Sequence, residues 1–192
     1  MYKVVKYNPE KHHRRSLRLK GFDYSRSGMY FITICCQDHE HRFGYIENQI
    51  MVLNQFGIIT QNEWYKLPDR FQNLQLGAFQ VMPNHIHAIV ILNGPIAGAI
   101  LAVAPDANVG AGASPAPTKV LIANPTVGNI IGAYKSLVAN ECLKLFKSKN
   151  EKMGKLWQRN YYERIIRDDR AFNAISMYIL NNPAKWKGDK SF

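Results

Sequence analysis

The run Val81-Met82-Pro83-Asn84-His85-Ile86-His87-Ala88-Ile89-Val90-Ile91-Leu92 admits few structures. It is apolar and β-branched, it follows a Pro-Asn bend, and it carries two histidines set two apart. Successive side chains of a strand point to opposite faces, so His85 and His87 share one face. Ile86 and Ala88 point the other way, into a core. Two imidazoles about 7 Å apart along a strand can converge on one divalent cation. The same pair also fits two hydrogen-bonded surface histidines or half of a structural zinc site.

The chain has 192 residues, 46% of them hydrophobic and 11% aromatic, enough for one domain with a sizeable core. Lys and Arg number 25 against 14 Asp and Glu, a net charge of +11. A chain this basic points to a polyanion, and nucleic acid is the usual one. The three cysteines, Cys35, Cys36 and Cys142, contain no CxxC pair, which argues against a disulfide framework or a thiolate zinc site. The N-terminal stretch Met1 to Lys6 lacks the apolar run of a signal peptide. The longest apolar run outside the strands, Pro95 to Ala104, is about half a membrane span. The expectation is a cytoplasmic protein without a membrane partner.

In chain order, residues 11–20 form a basic cluster with Arg14, Arg15, Arg18 and Lys20 as phosphate contacts. Met29 to Cys36 reads as a buried strand, and Phe43 to Glu47 as its hairpin partner. His39 and His41 form a second HxH pair in a polar turn. Asn54 caps a helix over about 54–66, with Phe56, Ile59, Trp64 and Leu67 on one face and Pro68 ending it. Residues 77–82 lead as a strand into the histidine segment. Residues 93–125, rich in Ala, Gly, Pro and Val, read as a low-complexity insert.

Thr126 caps an amphipathic helix with Val127, Ile130, Ile131, Tyr134, Leu137, Val138 and Leu145 in its stripe. Lys135, at the edge of that stripe, is a candidate phosphate contact. Residues 155–166 look extended. Aromatics there interleave with Arg159 and Arg164, and Arg167 follows, a combination suited to single-stranded nucleic acid. Asp168 or Asp169 opens a last helix through Leu180. Ala171, Ala174, Ile175, Tyr178 and Asn182 share a face, and Pro183 stops the helix.

Tyr178 and Asn182 are four apart, one helical turn. If that face lies against the histidine strand, His85, His87 and the Asn182 oxygen offer three ligands with Tyr178 beside them. A nitrogen and oxygen set with open positions suits Mg2+ or Mn2+. A phenol has a pKa of about 10 and is a poor nucleophile at neutral pH. A divalent ion that polarises a phosphodiester can offset this. On helical spacing alone Tyr178 reads more readily as an ordinary core aromatic.

The segments RRSLRLKGFDYS, VMPNHIHAIV, LWQRNYYERIIRDDR and YILNNP together resemble the single-tyrosine HUH transposases, closest to the REP-associated branch. The resemblance spans nearly the whole chain, residues 1–192 as one domain, apart from the insert. It implies an α+β, ferredoxin-like (RRM-like) antiparallel sheet with helices packed on one face. It implies a DNA transposase that cleaves and rejoins single-stranded DNA near a hairpin through a 5′-phosphotyrosine. His85 and His87 match the metal pair, Tyr178 the nucleophile and Asn182 the third ligand. The sequence departs from the pattern at Arg164, where relatives often carry His, and in the long insert. Asn182 also precedes a proline, which disfavours the α region. The wider family includes obligate dimers that exchange the tyrosine helix, while the palindrome-associated branch is compatible with monomers, so the resemblance leaves both a homodimer and a monomer within the expectation. Two other readings compete: an inactive hairpin-DNA-binding module, and a histidine phosphoesterase acting on RNA. The second would need His39 and His41 as its other motif.

Overall fold

A computed structural model describes residues 26–94 and 125–186. The basic cluster with Arg14, Arg15, Arg18 and Lys20 lies outside the described residues, as does nearly all of the insert. Strand β1 (Gly28–Cys35) is followed by a hairpin of β2 (Gly44–Glu47) and β3 (Ile50–Leu53), then α1 (Gln55–Tyr65). Strands β4 (Leu74–Val81) and β5 (His85–Leu92) precede α2 (Val127–Ser148). The chain continues through β6 (Tyr162–Ile166), α3 (Asp169–Leu180) and the single turn α4 (Asn182–Lys185).

The main sheet has the order β4-β5-β1-β6, antiparallel throughout. Without the β2–β3 hairpin and the C-terminal helices this is a βαββαβ unit, the ferredoxin-like arrangement. Residues alternating along each strand build two faces. Tyr30, Ile32, Ile34, Ile86, Ala88, Val90 and Leu92 enter the larger core beneath α1 and α2. Trp64 sits at its centre, stacked on Phe79 at 4.9 Å and meeting the edge of Tyr134 at 5.0 Å. The Tyr134 hydroxyl donates to the Thr60 carbonyl at 3.0 Å, tying α2 to α1.

The other face carries a smaller cluster in which Ile89, Ile166 and Ile179 are buried, with Phe31, Phe172 and Ile175 packed around them. Helix α3 therefore lies across the face opposite α1 and α2, over β4 and β5. One extra residue at Gly77-Ala78 re-phases β4 between Leu76 and Phe79. A β-carbon at Gly77 would stand 2.8 Å from that of Ile89, so the close approach requires glycine.

The caps of α1, α2 and α3 form as the sequence indicates, the last with Asp168 accepting from the Ala171 amide. Asn54 accepts from the amides of Phe56 and Gly57, and Thr126 closes a reciprocal box with Asn129. Three expectations need correction. Strand β2 pairs with β3, not β1, because Asn48 and Gln49 both take positive φ and close a two-residue hairpin locally. In residues 155–166 only Tyr162–Ile166 joins the sheet. Trp157 pairs only with Cys36, just past β1, in an isolated bridge and is buried against Phe43 and Tyr134, so its ring is closed to bases. Finally, α3 ends at Leu180 as expected, but its buried residue is Ile179 and Ala174 faces solvent. Asn182 begins α4, with Pro183 at its second position, so it is not a continuation of α3.

Candidate active site

Strand β5 delivers the two imidazoles. His85 and His87 are 4% and 2% exposed, and their Nε2 atoms face each other at 3.1 Å. Each ring is held by its other nitrogen. Asn84 Nδ2 donates to the His39 carbonyl at 3.2 Å, which fixes the amide with Oδ1 towards His85 Nδ1, 2.7 Å away. With Oδ1 as the acceptor, His85 Nδ1 is the donor, so in the neutral ring Nε2 is the nitrogen left with a lone pair. His87 Nδ1 lies 2.8 Å from Thr33 Oγ1 on β1, directly across the ladder. Burial, reinforced by His85, pushes the His87 pKa down to about 3, so its ring is neutral at physiological pH.

Two facing ring nitrogens at 3.1 Å coexist as a hydrogen bond or around a cation. Ligands about 2.1 Å from one ion at right angles stand about 3.0 Å apart, so the pair fits adjacent positions on a metal. Among the described residues no group of three or more His, Cys, Asp or Glu side chains converges.

Tyr178 reaches this pair from α3 of the same chain. Its hydroxyl stands 3.4 Å from His87 Nε2, and the two ring centroids are 5.3 Å apart. Phe31 supports both, tilted on His87 at 5.3 Å and edge-on to Tyr178 at 6.1 Å. Tyr178 remains 42% exposed, so an extended substrate has access to the phenol. Trp186, just after α4, brings its ring to 5.6 Å from His85. Half-buried Asn182 lies in the chain between Tyr178 and Trp186, both of which reach the imidazoles.

The other predicted residues divide. Arg159, Arg164 and Arg167 are exposed. Lys135 is not free for phosphate. Its ammonium donates to the carbonyls of Gln158 at 2.6 Å and Arg159 at 3.1 Å, pinning that segment to α2. Partial burial lowers its pKa. His39 and His41 diverge: the first ring meets Gln158 at 3.1 Å, the second faces Trp186 at 6.3 Å. Sequence reasoning missed Asn84 and Thr33, although Asn84 adjoins His85 and offers an amide to it.

The architecture is that of a REP-associated tyrosine transposase solved bound to a REP hairpin, with a TM-score of 0.53 and 15% identity. The match covers 88% of this chain and 73% of that one. The chain belongs to one family with an uncharacterised protein of Haemophilus influenzae, 37% identical over 189 residues, 98% of each chain. No family model matches the sequence. Among the described residues no helix is long and apolar enough to cross a membrane.

Proposed function

We propose that this protein is a DNA transposase that cleaves and rejoins single-stranded DNA beside a hairpin, with Tyr178 as nucleophile. The observation that carries the reading is the phenol of Tyr178 lying 3.4 Å from His87 Nε2, itself 3.1 Å from His85 Nε2. The hairpin-bound structure with the same fold supports the choice of substrate.

The Tyr178 oxygen attacks phosphorus and loses its proton to solvent, to which the ring is open. The bond from phosphorus to the 3′ oxygen breaks, and that oxygen leaves as a free 3′ hydroxyl after taking up a proton. The product is a 5′-phosphotyrosine ester, which a second 3′ hydroxyl can reverse, joining new strands. Mg2+ or Mn2+ held by His85 and His87, with Asn182 as a third ligand, would polarise the phosphate and offset developing charge. The remaining residues position. Phe31 holds the phenol against the imidazoles, and Arg159, Arg164 and Arg167 offer guanidiniums to the backbone, joined in the proposal by Arg14, Arg15, Arg18 and Lys20.

The test is incubation with labelled hairpin DNA carrying single-stranded flanks, with Mn2+. The wild-type protein should form a denaturant-resistant adduct, and Tyr178→Phe should bind the DNA but form none. An adduct that survives in Tyr178→Phe removes Tyr178 from the chemistry.

A further inference from the structure

The ladder aligns a second aromatic with the imidazole pair. Thr33 on β1 lies opposite His87 on β5 and opposite Tyr162 on β6. Directly opposed residues in an antiparallel sheet share a face. Tyr162 therefore projects from the same side as His87 and Thr33, two strand spacings or about 10 Å from His87. The next row runs Arg164, Phe31, Ile89, so Arg164 flanks Tyr162 on that face, across from the ring that supports Tyr178.

Helix α3 lies over β4 and β5, and Tyr162 is 51% exposed. Trp157, by contrast, is buried among core rings. Tyr162 thus keeps an open aromatic face, with an exposed guanidinium two residues along and a second, Arg167, just past the strand. An open ring beside cations, on the surface that carries the phenol, has the chemistry of a platform for one unpaired nucleobase.

We infer that Tyr162 stacks a base of single-stranded DNA next to the scissile phosphate, with Arg164 holding the adjoining phosphate. The inference rests on the cleavage reading for the position of that phosphate. Stacking on a ring tolerates every base, so Tyr162 would set the path of the strand and leave its sequence to other contacts.

The experiment uses a hairpin oligonucleotide with thymidine flanks and the fluorescent base 2-aminopurine placed at successive flank positions. Full-length Tyr178→Phe protein keeps covalent chemistry out of the measurement. One position should be quenched on binding. Adding Tyr162→Ala should abolish the quench and weaken binding about five- to a hundred-fold, while Tyr162→Phe, which retains the ring, should restore both. Unchanged quenching and affinity in the alanine variant overturn the inference. Adduct formation by the parent protein is scored separately. A parent that quenches but never forms an adduct sinks the cleavage reading and leaves the platform standing.

Discussion

Each imidazole of the pair is gripped at the nitrogen turned away from its neighbour, and that grip sets what the facing nitrogens can do. Asn84 bridges the His39 carbonyl and His85 Nδ1, so a turn distant in sequence orients a ring on β5. Thr33 holds His87 from the adjacent strand. Partners of this kind typically change metal affinity by about 10- to 100-fold when removed. Asn84→Ala should weaken Mn2+ binding by that order, and Thr33→Val should act in the same direction. Calorimetric titration of the protein without DNA checks this, since it reads affinity apart from turnover. Affinity unchanged in both variants would mean the rings hold their aim by packing against Phe31 and Trp186.

Among the elements, α1 shows how much of the fold was written locally. Asn54 accepts from two amides of the first turn, and its own amide donates to the Arg42 carbonyl. Asn54→Ala should therefore lower stability by about 1–2 kcal/mol, measured by urea unfolding. Caps are read from a few adjacent residues, so those of α1, α2 and α3 were legible. Strand β5 was legible through its alternation, with Ile86 and Ala88 in the core as the pattern required. The partner of β2 was not. Its residues suit either neighbour, and the turn that decides, Asn48-Gln49, lacks the glycine that marks such hairpins. The extra residue in β4 was also hidden, because a bulge is seen only against the strand it opposes. The site divided along the same line. His85 and His87 were singled out by their spacing and Tyr178 through the family motif, and the structure brings the three together, whereas the contacts of Asn84 and Thr33 arise only when strands and turns meet.

At the level of the molecule, the two faces of the sheet have separate duties, and this bears on assembly. The α1–α2 face holds most of the buried apolar residues. Among the described residues the other face is covered in part by α3, and the imidazole pair and the Tyr178 phenol lie together at that cover. Arg167 and Asp168 join β6 to α3, a link too short to carry the helix far from its own sheet. Ile179 is fully buried with Ile89 and Ile166, so exchanging α3 between copies would first expose that cluster. The phenol consequently meets the imidazoles of its own chain, and one chain should suffice for a complete site. Mixing His87→Ala with Tyr178→Phe tests this. In a helix-exchanged dimer the tyrosine of the first and the histidines of the second would complete one intact site, and adduct would return. With the site built in one chain, no mixing ratio should restore adduct, provided both variants show the wild-type circular dichroism spectrum. Recovery of adduct in the mixture would show that the active assembly draws its nucleophile from a second copy.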